Sequence, residues 1–262
     1  MIEKQDTGLN KGNLTEVEHW DKAWLKSPRP RLPSSLLVGT LNLKRLLRAH
    51  VKPGARFLEI GCAPGKILVW VEKVLRAIVT GVDYSKSGFE VAQALFDALD
   101  AEGDLICEDI FSHPFKPGSF DVVYSAGVIE HFDDPRKIVR IHVDLLKPGG
   151  KAVITVPNFG GLYGRLLGYC DPENLALHNL RIMTPAALRQ LAPEDLAGDV
   201  RAYPAGRVAV QIVSLGSRFP SLIAKAALYG VNLLGILQPF DIPVLCPMLV
   251  LEITRGGSAR EG

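Results

Sequence analysis

Short apolar runs alternate with two kinds of spacing along the first 160 positions. Compact, near-continuous runs predict strands at 55–60, 78–83, 104–108, 120–125 and 150–156, as in Ala152-Val153-Ile154-Thr155-Val156. Between them, apolar positions three and four residues apart predict helices over 65–75, 86–99 and 135–146. Upstream, Leu14, Val17, Trp20 and Trp24 predict a helix over 14–25. The leucines from Leu36 to Leu47 predict another over 35–50. Ser27-Pro28-Arg29-Pro30 breaks the two apart, and Pro53-Gly54 turns the chain into the first strand. Strands that alternate with helices build an α/β fold, a parallel sheet covered on both faces.

After Pro157-Asn158 the rhythm stops. Residues 159–181 hold four glycines and little periodicity, which predicts a long lid or binding loop. Thr184 followed by Pro185 has the form of a helix N-cap with proline at the first helical position. Strands are expected at 206–214 and 247–254, bringing the sheet to seven. Between them Leu222 to Leu237 is apolar, interrupted by Lys225 and Asn232. It reads first as a helix buried against the sheet. The other readings are a cap over an apolar acceptor, a homodimer face, or a surface in transient contact with a membrane. Residues 1–12 and the tail from Arg255 have no packing pattern. The expected organisation is a helical cap (1–50), a core (51–158), a lid insertion (159–205) and C-terminal strands with the apolar helix (206–262).

Composition narrows the partners. The 262 residues carry 30 Lys and Arg against 28 Asp and Glu, without a basic run. That near balance provides no electrostatic footprint for nucleic acid. The four cysteines, Cys62, Cys107, Cys170 and Cys246, are scattered and suggest neither a metal knuckle nor a disulfide framework. Free thiols, a polar N-terminus unlike a signal peptide, and the lack of an apolar run of about 18 residues lead to the expectation of a cytoplasmic protein without a metal.

The candidate chemistry lies at successive strand ends. Phe57-Leu58-Glu59-Ile60-Gly61-Cys62-Ala63-Pro64-Gly65 is an apolar run ending in an acid and a small-residue turn before a helix. Gly61 and Gly65 let backbone approach a ligand, and Ala63 is nearly as small. The second strand ends in Asp83-Tyr84-Ser85, an acid about 20 residues on that can accept hydrogen bonds from ribose hydroxyls. The third ends in Glu108-Asp109-Ile110, an acid beside an apolar residue, suited to an adenine amino group and ring. The fourth ends in Ser125-Ala126-Gly127-Val128-Ile129-Glu130-His131, with small residues where a cofactor edge would pass.

Together with Leu146-Lys147-Pro148-Gly149-Gly150, these segments resemble the class I S-adenosylmethionine-dependent methyltransferases. The resemblance spans 55–158 and extends loosely to His19-Trp20-Asp21. It implies a Rossmann-like, seven-stranded, mostly parallel sheet and S-adenosyl-L-methionine as cofactor. It also implies that Glu59 supports the loop and that Gly61, Cys62, Ala63 and Gly65 surround the methionine moiety. Asp83, Tyr84 and Ser85 would take the ribose side, Glu108, Asp109 and Ile110 the adenine. Ser125, Ala126, Gly127 and His131 would face the methionyl part, and Trp20 of the entry helix would also contact the cofactor.

A hydroxyl acceptor must lose a proton, so His131 and His178 are the candidate bases. His113 and His142 read as solvent or helix-face residues. Tyr163, Arg165, Tyr169 and Arg181 are the candidate acceptor contacts. No Asn/Asp-Pro-Pro-Tyr/Phe motif for a flipped base follows the fourth strand. The expected activity is methyl transfer to a small, partly apolar metabolite at oxygen. The alternatives are transfer to nitrogen or carbon, or a cofactor-binding scaffold without turnover.

Overall fold

The computed structural model of the chain describes residues 14–25 and 37–257. The expectations for residues 1–12, for the 27–30 break and for the end of the tail lie outside them. Seven strands form one sheet: β1 (Arg56–Ile60), β2 (Ile78–Asp83), β3 (Asp104–Cys107), β4 (Phe120–Ala126), β5 (Leu146–Pro157), β6 (Gly198–Ala205) and β7 (Met248–Arg255). Their order is β3-β2-β1-β4-β5-β7-β6. The first five are parallel, and β7 runs antiparallel between β5 and β6. The helices are α1 (Val17–Leu25), α2 (Val38–His50), α3 (Lys66–Trp70, prolonged by a π-turn over Val71–Leu75), α4 (Lys86–Ala98), α5 (Arg136–Asp144), α6 (Leu162–Cys170), α7 (Pro172–Ala176), α8 (Pro185–Arg189), α9 (Leu215–Arg218) and α10 (Ser221–Leu237).

Alternation along each strand divides the core into two layers, because successive strand residues point to opposite faces. Phe57, Val122, Tyr124, Val153 and Val250 pack with Leu47 of α2, Trp70 of α3 and Phe96 of α4. Leu58, Val123, Ile154 and Leu251 pack on the other face with Ile138 of α5, Tyr163 and Leu167 of α6 and Leu188 of α8. Strands buried on both sides explain the near-continuous apolar runs. Ligands of such open sheets lie beyond the carboxyl ends of the strands, where strand order reverses; here that is the β1/β4 boundary.

The structure corrects four expectations. The strand expected at 206–214 is an irregular segment, and β6 lies just before it at Gly198–Ala205. Pairing with β7 decides this: eight residues in antiparallel register, Gly198 opposite Arg255 to Ala205 opposite Met248, make the edge strand. The apolar side chains of 208–213 pack into the core from a loop instead. The lid of 159–181 is mostly helical, with α6, α7 and a 3-10 turn at Leu180–Ile182. His142, expected at solvent or on a helix face, does lie on α5 but is fully buried there. Finally, α10 does not cover the sheet with its apolar residues, since its buried positions are Asn232 and Gly235. Among the described residues no helix is long and apolar enough to cross a membrane.

Candidate active site

The turn after β1 is shaped by what can fit there. Gly61 sits at φ +71°, and a Cβ on it would lie 2.6 Å from a Val128 methyl, so only bare backbone passes. Gly65, also left-handed, closes the turn against Ala92 of α4. Gly61 and Ala63 face a cavity beyond the strand ends. Cys62 faces away: it is buried, and a Cβ on Gly81 would lie 2.8 Å from its sulfur. Glu59 lies under the turn at 5% exposure. Burial, and then the nearby charge of Asp83, push its carboxyl well above the usual range. Its Oε2 has no hydrogen-bond partner among the described residues.

Asp83 closes the neighbouring wall. Ala63 N–H donates to its Oδ2 at 2.9 Å and Ser85 N–H to its Oδ1 at 3.0 Å. Burial raises its carboxyl above the ordinary value, and those two bonds oppose the shift. Ser85 itself is the N-cap of α4, its hydroxyl accepting from Gly88 N–H at 3.0 Å. The same hydroxyl donates to Asp21 of α1 at 2.7 Å, and Ser87 N–H donates to Asp21 at 3.1 Å. These bonds fasten α1 over the site, so that Trp20 and Trp24 form its roof. Tyr84, Glu108, Asp109 and Ile110 complete the far side. Asp109 caps the 3-10 turn that follows, accepting from Phe111 N–H at 3.0 Å.

Beyond β4, Ser125 turns inward. His142 Nδ1 donates to Ile138 O at 2.7 Å, which leaves Nε2 to accept from Ser125 Oγ at 2.9 Å. Burial lowers this imidazole to about 4, so it is neutral. Ser125 thus braces the strand end instead of touching the cavity. Ala126, Gly127 and His131 have a different position: they line the first cavity and also a second one beside it.

The second cavity is walled by Thr40 and Leu43 of α2, Val156 of β5, Phe159, Ile212 and Met248, with Glu130 and His178 as its titratable side chains besides His131. One polar atom each of Glu130, His131 and His178 lies within 4.8 Å of the others. His131 Nδ1 donates to Leu177 O at 3.0 Å and His178 Nδ1 to Asn174 O at 2.9 Å. Each imidazole therefore keeps its Nε2 lone pair. Burial, then the neighbouring His178, lower His131 to about 4; burial lowers His178 as well. Trp20 meets His131 edge-on, ring centres 5.0 Å apart. Burial raises the Glu130 carboxyl to about 8, leaving it protonated near neutral pH.

The four expected acceptor contacts lie elsewhere. Tyr163 is buried and structural: its hydroxyl donates to Leu245 O at 2.7 Å and accepts from Ala209 N–H at 3.3 Å. Arg165 is exposed on α6. Tyr169 packs at the surface against Phe219 and under Arg218. Arg181 pairs with Asp133 beside a shallow surface depression. Helical winding of the lid separates these side chains, which a loop reading could not foresee. The residues that do line the site and were missed include Trp24, Val128, Phe132 and Glu130, together with the α2 wall. Only Glu130 carried a sequence signal, an acid beside a candidate base.

The residues fit an adenosyl sulfonium. Bare backbone at Gly61 and Gly127 allows close approach, Asp83 presents carboxylate lone pairs, and indole and phenyl rings supply flat apolar walls. The fold and the cavity at its strand ends are similar to those of the class I S-adenosylmethionine-dependent methyltransferases. Residues 58–154 match the family described as a methyltransferase domain. A ubiquinone biosynthesis O-methyltransferase of Coxiella burnetii is 26% identical over 153 residues, 58% of this chain and 64% of the relative. Its counterpart from Nitrosococcus oceani is 36% identical over 123 residues, 46% of this chain and 51% of the relative. The matches thus cover less than two thirds of those relatives' length. The fold is similar to a phosphoethanolamine N-methyltransferase of Haemonchus contortus in complex with S-adenosyl-L-methionine. The TM-score is 0.58 at 21% identity, over 93% of this chain and 58% of that one.

Proposed function

We propose that this chain transfers the methyl group of S-adenosylmethionine to a hydroxyl oxygen of a small, partly apolar molecule. The observation that carries this reading is the wall shared by the two cavities, Ala126, Gly127 and His131. A donor on one side and an acceptor on the other would meet there. When bound, the cofactor supplies a methyl already activated by its sulfonium, so that the protein's task is mainly alignment. Apolar side chains of the second cavity would hold the body of the acceptor. His178, less buried, would accept the hydroxyl's hydrogen bond at its Nε2 lone pair and take that proton as the new bond forms, while His131, on the shared wall, would hold the acceptor beside it. The naming of both curated relatives as O-methyltransferases supports oxygen as the acceptor atom.

The test is turnover of a metabolite extract with labelled S-adenosylmethionine, followed by His178→Ala on the identified acceptor. A fall in kcat of about 100-fold or more, with cofactor affinity retained, is expected for an O-methyltransferase. Wild-type rates in both His178→Ala and His131→Ala would overturn the proton-transfer role. Such rates would favour an amine that arrives neutral. Cofactor binding without any turnover would favour a scaffold.

A further inference from the structure

Helix α10 carries its polarity inside out. Its one buried polar side chain faces the protein: Val38 N–H donates to Asn232 Oδ1 at 2.7 Å, and just past the helix Val208 N–H donates to Gln238 Oε1 at 3.0 Å. Gly235 presses its bare backbone on the same seat, where a Cβ would come within 2.4 Å of Val208 O. The apolar side chains face outward. Leu222, Ile223, Tyr229, Leu233, Leu234 and Leu237 are each more than half exposed. They fall on one broad arc of the helix, and Phe240 continues it at 66% exposure. A face of this size is the mark of an interaction surface.

Charge identifies what covers it. Lys225 is the single charged residue of α10, and Arg218 stands just before the helix. Asp241 is the only acid between Arg201 and Val250, and it is already paired with Arg45. A second copy of this face would set Lys225 and Arg218 against like charges, and α10 itself carries no acid to answer them. A bilayer offers acyl chains to the leucines and anionic phosphates to the two cations, Lys225 exposed on the helix and Arg218 over the Tyr169 ring at its start. Seventeen residues of helix span about 25 Å, short of a bilayer's hydrocarbon thickness, so the helix would lie in the interface.

The seat of α10 is also the rim of the second cavity. Leu37 lines that cavity one residue before Val38, and Gln211 and Ser214 line it between Val208 and α9. We propose that α10 docks flat on an anionic lipid surface and that the methyl acceptor is a lipid-borne molecule entering the second cavity from that side. The docking stands on the surface alone, whereas the acceptor class rests on the methyltransferase reading above.

The experiment is co-sedimentation of the full chain with phosphatidylcholine vesicles, with and without phosphatidylglycerol. Each sample is also checked by light scattering for oligomeric state and by calorimetry for cofactor binding. Wild type should bind the anionic vesicles. The Leu233→Asp/Leu237→Asp double variant should bind at least about 10-fold more weakly, with cofactor affinity unchanged. Lys225→Glu should weaken binding several-fold, and chiefly at low salt. Wild type that ignores anionic vesicles, or a double variant that binds like wild type, overturns the docking. So does a stable dimer that the double variant dissolves, because a second copy then covers the face. Vesicle binding without cofactor binding would leave the docking standing and overturn the methyltransferase reading alone.

Discussion

Ala63 N–H donates to Asp83 Oδ2 at 2.9 Å and so ties the turn after β1 to the end of β2. With Ser85 N–H on the other oxygen, both carboxylate oxygens are held by backbone donors. The carboxylate is thus fixed in place before a ligand arrives, and its remaining lone pairs face the cavity. An amide at this position would have to turn its NH2 toward one of those two N–H groups. Asp83→Asn should therefore lower stability by about 1–3 kcal/mol and weaken S-adenosylmethionine binding at least about 10-fold. Denaturant melts and calorimetry check both halves. An unchanged affinity would remove Asp83 from the cofactor site.

Two left-handed glycines separate backbone strain from steric fit. Gly54 has φ +76° with nothing within 4 Å of a would-be Cβ, while Gly61 has φ +71° with Val128 in the way. Gly54→Ala should cost about 1 kcal/mol, the left-handed penalty alone, and leave cofactor affinity intact. Gly61→Ala adds the clash, for about 2–4 kcal/mol in all, and displaces Val128, a cavity residue. Its cofactor affinity should fall. Equal effects of the two substitutions on binding would contradict the placement of the turn.

His142 gives a pH signature. Its folded value of about 4 lies below the ordinary 6.5, because burial disfavours the charged ring. As pH falls below 6.5 the unfolded chain takes up this proton first, so the contribution is present above 6.5 and is lost down to about 4. The full span corresponds to about 3 kcal/mol. Glu130 runs the other way: its carboxyl, raised to about 8, favours the folded state as pH falls from there to its ordinary 4.5. The useful quantity is therefore the difference in unfolding free energy between wild type and His142→Gln. It should move against wild type by more than 1 kcal/mol between pH 7 and pH 5. A flat difference would contradict the buried neutral ring.

The turns at the strand ends were readable because their signals are local. Gly61 and Gly65 are dictated by a turn and Asp83 by the end of a strand, each within a few residues, whereas Ser85, expected beside the ribose, is buried as the N-cap of α4. The partnership of Ser125 with His142 was not readable. It spans 17 positions and depends on α5 packing against β4. Nor was β6, since Gly198–Ala205 becomes a strand only because β7 pairs with it. The second cavity was the least legible. Its wall combines α2, the 208–214 segment and β7, which only the folded chain brings together. In α10 the apolar residues were visible but their direction was not, because it depends on where Asn232 and Gln238 find backbone partners.

The cavity between the β1 turn and the Trp20 roof is assigned to S-adenosylmethionine, and calorimetric titration of the full chain tests that assignment most directly. Titration with S-adenosylmethionine and with S-adenosylhomocysteine should each give saturable binding at one site per chain, weakened at least about 10-fold in Asp83→Asn. Binding of neither ligand by the folded wild-type protein would contradict the account.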